Sequence, residues 1–455
     1  MVQRRRQRLP PLLLQKLAMR SASSVVVPRA AIAPLPTHIT SRLAAEITDR
    51  ILDELHDSKP SLSLCSVVCK SWFPRCRYHL FSDVRLTEKF VRSVESSPNA
   101  KRSIEPYIRS VALGGGWARE ELDWDKIVSF FQGLQRVDRL ELETWSWSYL
   151  SASSARVLLS GMGSIFQTIR TLKLTYIRFT SFQKLVSFVG RFSRLEDLML
   201  DNVSWDQEEE SQDTNIESLE APPFGPPRQL RRISIRASPN RALLLWLLFA
   251  KDRNQDASSR MGHEHALPLR TLILPEILPS ESALVARLLQ ASGSSLEHLE
   301  LGFLTHHSDE ATNLSLIRAI DLHDNDRLRY LKIHQLTLYQ VSPFTPTPTR
   351  THFDLTIPTT MPYQWFIPLL RSLHSTFIEN ITLGLWVSDE LQLDMLPWTE
   401  LVSLLEDAIF GSLRYVAIQV NGTGDDPDAV LSWLTSRTEN PHTRIHVQFS
   451  DSNYH

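Results

Sequence analysis

Cysteine is scarce in this sequence, with three in 455 residues. That is too few for a disulfide framework and fits a reducing compartment, cytoplasm or nucleus. No apolar run approaches the length of a membrane span. The longest, Ala242 to Ala250, covers nine residues and fits a buried helix. Charge of one sign is missing too: the formal net charge is −2, which gives no reason to expect nucleic acid or an acidic membrane as partner. Signatures of catalysis are equally thin. Gly114-Gly115-Gly116 lacks the Lys-Ser/Thr, or the second spaced glycine, of a phosphate loop. His263-Glu264-His265 lacks the i, i+4 spacing of a zinc protease, and Asn421 to Asp428 lacks the terminal Glu of a calcium loop. Fifteen histidines offer no Ser-His-Asp arrangement that can be singled out. The expectation is a non-enzyme with no cofactor and no metal.

What is present is a chain of ordinary globular composition, 42% hydrophobic and 22% charged, long enough for two or more units or one extended array. Acidic residues do not appear before Glu46, whereas arginines begin at Arg4. Residues 1–36 read as a disordered basic leader, because Pro10, Pro11, Pro28, Pro34 and Pro36 block any long helix. The same composition resembles an organelle transit peptide, and Arg4 to Arg8 a small nuclear import cluster.

Residues 37–86 read as a helical domain. Leu43, Ile47, Ile51 and Leu55 recur every four residues with Leu52 beside them, which makes one helical stripe. Pro60 is expected to close that helix, and Ser61 to cap a second one carrying Leu62, Leu64, Cys65, Val67, Val68 and Trp72. Pro74 interrupts or restarts the helix, and Phe81 to Leu86 alternates as a strand does. Helices this short bury little by themselves, and their apolar residues outnumber one side, so a partner surface is expected. Cys65, Cys69, Cys76 and His79 match no usual zinc spacing and read as packed side chains.

The run Leu43-x-x-Glu46-Ile47-x-x-x-Ile51-Leu52-x-x-Leu55, then Leu64-Cys65-x-Val67-Val68-Cys69-Lys70-x-Trp72, resembles an F-box. Leu43-Ala44 stands where that family opens with Leu-Pro. The resemblance implies that Leu43, Ile47, Ile51, Leu52, Leu55, Leu64, Val67, Val68 and Trp72 dock to the Skp adaptor of a cullin complex. It also implies that the rest of the chain captures a protein substrate.

Residues 104–455 contain the spacing φ-x-x-φ-x-φ ten times in order, from Ile108/Val111/Leu113 to Leu413/Val416/Ile418, at intervals of 26 to 50 residues. At this composition chance alone yields on the order of twenty-five such matches, so the weight lies in context. Amphipathic helices follow or precede several strands: Phe182/Leu185/Val186/Val189, Leu284/Val285/Leu288/Leu289 with Ser280 as N-cap, Leu314/Ile317/Ile320, and Trp398/Leu401/Val402/Leu405/Ile409. Parallel strands need such crossovers. The pattern resembles a divergent leucine-rich-repeat solenoid, with Ile445, Val447 and Phe449 as a closing strand. Apolar residues (Trp145, Ile177, Val203, Ile277, Leu304, Leu336, Trp386) stand where that family has Asn or Cys after the strand, so the turn is expected to be packed. Period two then puts Arg139, Glu141, Lys173, Asp197, Met199, Arg232, Arg236, His298, Glu300, Tyr330 and Lys332 on the concave face as the candidate substrate surface. Neither sign dominates there, which points to a protein or peptide ligand. Loops 206–227 and 339–368 interrupt the array. The expected class is α/β: a small all-α unit, then a solenoid with a parallel sheet. The alternative is a repeat scaffold with no ubiquitin-ligase role.

Overall fold

A computed structural model describes residues 44–114, 129–131, 133–146, 165–206, 225–238, 240–249, 269–305, 319–337, 359–360, 365–386, 396–421, 432 and 445–449. The leader, Leu43, the helix expected around Leu314 and most of both interrupting loops lie outside these residues. The chain divides between Leu80 and Phe81 into two units, each described by itself.

The first unit holds three short helices. α1 (Ala45–Glu54) carries the Ile47/Ile51/Leu52 stripe. α2 (Lys59–Cys65) begins earlier than the sequence suggests, because Pro60 sits in its first turn instead of closing the previous helix. A proline costs nothing there, since its missing N–H would have had no helical acceptor. Ser61 is therefore inside the helix and not its cap; it receives a hydrogen bond from the Ser58 hydroxyl at 2.8 Å. α2 also stops at Cys65, so Val67, Val68 and Trp72 belong to the connection into α3 (Phe73–Phe81). Each helix gives one fully buried side chain: Leu52, Leu62 and Cys76.

The second unit is mixed α/β, built on a parallel sheet of twelve strands. β1 (Asp83–Leu86) is followed by α4 (Glu88–Glu95), α5 (Pro98–Ile104), β2 (Ser110–Leu113), β3 (Arg139–Ser146), β4 (Thr171–Phe179) and α6 (Phe182–Val189). Next come β5 (Asp197–Asp201), β6 (Ser204–Trp205), β7 (Arg232–Arg236), α7 (Asn240–Phe249), β8 (Thr271–Ile277), α8 (Ser282–Ser292), β9 (His298–Thr305) and β10 (Tyr330–Thr337). The chain continues through β11 (Thr359–Thr360), α9 (Phe366–Arg371), β12 (Asn380–Trp386), α10 (Trp398–Leu405), β13 (Tyr415–Asn421) and β14 (Ile445–Phe449). Spatial order follows chain order throughout; only β6, on β4, and β11, antiparallel to β9, stand off the path. The Ile445 to Phe449 strand is the last of the sheet. Asp83 to Leu86, assigned by sequence to the helical domain, is the first, because Val84 and Leu86 register with Val111 and Leu113. The array thus begins ahead of residue 104.

Register explains the spacing. The middle anchors form one row across the sheet, from Val84 through Val111, Leu140, Leu172, Leu198 and Ile233, then Leu272, Leu299, Leu331, Ile381, Val416 and Ile445. No residue of the ten triplets is more than 5% exposed. Burying such a side chain contributes about 1.5–3 kcal/mol, so the row is the main source of stability in this unit. At the start of each strand a single carbonyl accepts two successive N–H groups from the next chain segment. Ser82 O takes Arg109 N at 2.9 Å and Ser110 N at 2.8 Å, and the pattern recurs up to Glu379 O, which takes Arg414 N at 2.8 Å and Tyr415 N at 3.4 Å. The residue bearing this double link is charged after every first anchor, from Arg109 and Asp138 to Glu379 and Arg414. Neighbours of opposite sign pair across strands, Arg170 with Glu196 at 3.3 Å and Arg414 with Glu379 at 3.5 Å.

The helices fall close to expectation. Ser181 caps α6, its hydroxyl accepting from Lys184 N at 3.3 Å. α8 differs: Ser280 lies in a 3-10 turn, and the Glu281 carboxylate reaches back to accept from Leu278 N at 2.9 Å. α8 ends at Gly293, whose φ of 48° with ψ of −137° suits glycine, and the buried Asn325 amide donates to Leu289 O at 3.0 Å and Gly293 O at 2.9 Å. Trp365 and Phe366, from the second interrupting loop, are buried, with Trp365 edge-on to Phe303 at 4.8 Å.

After the anchors the strands kink. Thr144, Tyr176, Asn202 and Ala237 occupy the left-handed region at φ of 55°, 54°, 53° and 43°. At Tyr176 and Asn202 the next side chain is thereby returned to the core, where Ile177 and Val203 are buried as a packed turn requires. In β9 an irregular register with β8 makes Phe303 the buried partner of Ile277, while Leu304, the expected residue, is only half-buried. A left-handed conformation costs a non-glycine residue roughly 1–2 kcal/mol. Ala237→Gly should therefore raise stability by about 0.5–1 kcal/mol, after glycine's extra unfolded-state entropy is subtracted, as read by denaturant unfolding.

Candidate functional site

In the helical unit the stripe separates into two kinds of residue. Ile47 is 51% exposed, Ile51 50%, Leu64 59% and Val67 80%. Leu55, Val68 and Trp72 are half-buried. Leu52, expected on the docking face, is instead core at 1% exposure, because it lies one residue round the helix from Ile51. Two exposed aromatics were not anticipated, Phe73 and Tyr78; their signal was the short helix after Trp72, read only as a further turn.

An ionic clamp ties α1 to α3. Arg75 holds Asp53 with two hydrogen bonds, Nε to Oδ1 at 2.5 Å and Nη2 to Oδ2 at 2.7 Å, and His79 Nε2 donates to Oδ1 at 2.7 Å. The hydrogen bonds from Arg75 and then His79 bring the Asp53 carboxyl down to about 2. Burial, with the nearby Cys65 and Cys69, pushes the Cys76 thiol up to about 11, so it packs as a thiol.

On the sheet, the residues between anchors register in rows as expected. Arg139, Thr171, Asp197 and Arg232 are successive partners, and Glu141, Lys173 and Met199 form the next row. Lys173 pairs with Glu141, and Arg85 with Glu143 at 3.0 Å. On β9 and β10 the rows bring His298 beside Tyr330 and Glu300 beside Lys332. The His298 and Tyr330 rings stack at 4.2 Å and 12°. Glu300 is 9% exposed and accepts from His298 Nε2 at 2.9 Å and from His334 Nε2 at 2.7 Å. Burial pushes the Glu300 carboxyl up, yet the two imidazole hydrogen bonds outweigh it and hold it well below the usual carboxylate range. Burial lowers His334, helped by Lys332 and Arg236, so a neutral ring donates from Nε2 to an ionised carboxylate. Sequence reasoning missed Asn380, Thr382 and Tyr415, which continue these rows. The triplets Ile378/Ile381/Leu383 and Leu413/Val416/Ile418 placed them there. Three side-chain atoms of this face are enclosed without a hydrogen-bond partner: Thr175 Oγ1, Arg232 Nε and Asn380 Oδ1.

Elsewhere, a cavity of about 320 Å³ has Phe303, Trp365, Leu369, His323 and His374 among its walls. Its polar rim is committed: the Ser372 hydroxyl takes Leu322 N and donates to Leu369 O, and His374 Nδ1 donates to Ser372 O. Among the described residues no helix is long and apolar enough to cross a membrane, and no cluster of metal ligands occurs. No family model matches the chain, and no curated protein matches it.

The clamp predicts an acid transition. Asp53 is depressed in the folded state, so its stabilisation is complete above pH ~4 and is lost as pH falls through about 2. Both partners are more than a third exposed, and screening leaves a contribution of about 1 kcal/mol. Hydrogen-exchange protection of residues 45–80, corrected for the intrinsic pH dependence of amide exchange, should fall over that window in the wild type, and Asp53→Asn should remove that fall.

Proposed function

We propose that this chain is a substrate-recognition subunit of a cullin–RING ubiquitin ligase. In this reading the helical unit is an F-box-like module that docks to a Skp adaptor, and the second unit is a leucine-rich-repeat-like solenoid that binds the target protein. The observation that carries the reading is the exposure of Ile47, Ile51, Leu64 and Val67 in a unit with three fully buried core side chains among the described residues. Large apolar residues concentrated in so small a unit mark an interaction site. Their positions coincide with those the F-box resemblance assigns to the adaptor. The in-register sheet supports the second half, since a repeated strand with a polar, half-exposed face offers a continuous binding surface.

The test uses the full chain and a recombinant Skp-type adaptor. Wild-type protein should co-purify with it. The double variant Ile51→Asp with Val67→Asp should weaken binding by at least about thirtyfold, on the scale of interface hot spots. Because both side chains are exposed, thermal unfolding should move by no more than ~2 °C. Undiminished adaptor binding by the folded double variant would remove the docking face and the reading with it.

A further inference from the structure

The polar face of the sheet is not electrostatically uniform. On β3 and β4 Lys173 is spent on Glu141, with Arg85 of β1 on Glu143, and Arg139 alone of their inter-anchor cations at the strand start has no ion pair among the described residues. On β7 and β10 three cations gather, Arg232, Arg236 and Lys332, that make no ion pair among the described residues, although Asp197 and Asp201 of β5 are register partners of the two arginines. Arg232 Nε is enclosed with no hydrogen-bond partner. The carboxylates on this stretch spend their hydrogen bonds elsewhere while keeping their charge, Glu300 on two histidines and Glu276 on Ala237 N at 2.9 Å, and the three cations outnumber them.

The strand-start edge points the same way. Its charged residues alternate in sign from Arg109 to Glu196, and again from Arg270 to Arg414. Alternation fails at one place, where Arg231 of the β7 start neighbours Arg270 of the β8 start, linked by Arg270 N to Arg231 O at 2.7 Å. Arg270 has Glu297 at 3.9 Å, whereas Arg231 has no ion pair among the described residues. Like charges side by side in a sheet are destabilising, and the conflict lies next to Arg232.

We propose that the face of β7–β10 around Arg232, Arg236 and Lys332 binds an extended acidic segment of the target protein. This rests on the reading of the sheet as the target-binding part. The strand spacing puts about 14 Å between β7 and β10, which four or five residues of extended chain span. Asp197 and Asp201 bound the basic stretch on one side, so it suits a short acidic segment rather than the continuous backbone of a nucleic acid.

The experiment measures binding of a fluorescein-labelled oligoglutamate to the full chain, with oligolysine and single-stranded RNA as competing probes and adaptor co-purification scored on the same samples. Oligoglutamate should bind and weaken as salt rises. Arg232→Glu with Arg236→Glu and Lys332→Glu should reduce its affinity at least about tenfold, while Arg287→Glu, exposed on α8, should leave it unchanged. Should the triple variant unfold, Lys332→Glu alone is read in its place, with a loss of about threefold expected. Equal binding by wild type and the folded variant, or tighter binding of RNA or oligolysine than of oligoglutamate by the wild type, would overturn the proposal. Adaptor docking separates the two readings: an adaptor bound without oligoglutamate defeats this inference alone, and oligoglutamate bound without adaptor defeats the ligase reading alone.

Discussion

Everything in the larger unit depends on register. In a strand successive side chains face opposite ways, so slipping one residue would carry the whole anchor row out of the core. The doubled hydrogen bond at each strand start prevents the slip, because one carbonyl fixes two successive N–H groups of its neighbour. With register set at the strand start, the length of chain that returns to it becomes nearly irrelevant. Closure entropy grows only as the logarithm of loop length, so intervals between 26 and 50 residues cost little more than equal ones. Irregular spacing and a regular sheet are therefore compatible.

That division decides what could be read from sequence. The ten triplets were legible because burial demands apolar residues at fixed offsets, and each triplet proved to be core. β1 was legible as a strand, since Phe81 to Leu86 alternates, but not as a member of the array, because it directly follows a helix of the other unit. The charged residue after every first anchor is exposed or half-exposed and carries no burial signal, so the apolar spacing alone does not single it out. The left-handed kinks were out of reach. Thr144 and Tyr176 are poor residues for that conformation, and only Asn202 belongs to a type that visits it readily. At Tyr176 and Asn202 the strain is offset by the burial of Ile177 and Val203, a tertiary effect that no local pattern records. The exchange of Phe303 for Leu304 has the same origin, an irregular pairing with β8.

The two units solve opposite problems. In the larger one every apolar anchor finds cover within the chain, and the polar face is what remains. In the helical unit a core of Leu52, Leu62 and Cys76 leaves neighbouring apolar side chains uncovered, and an ionic clamp between α1 and α3 supplies part of the rigidity. The helical stripe could be read from sequence; which member turned inward could not. Ile51 and Leu52 are adjacent, and the packing of α1 against the other helices selects Leu52. A stripe wider than the core beneath it is what a surface meant for a partner requires.

Charge shows why composition alone misleads about partners. A net charge of −2 excludes a uniformly basic surface and nothing finer. Ion pairs take up Arg85, Glu143, Lys173 and Glu141 on β1, β3 and β4, whereas Arg231, Arg232, Arg236 and Lys332 have no such partner among the described residues. Glu300 stands among them as an ionised carboxylate that offsets Lys332 in part, with its oxygens turned to His298 and His334 and little of it exposed. A ligand approaching this stretch meets cations in front and a satisfied carboxylate beneath. Sequence supplied the residues, but the sign of the surface they make depends on which charges the fold lets meet.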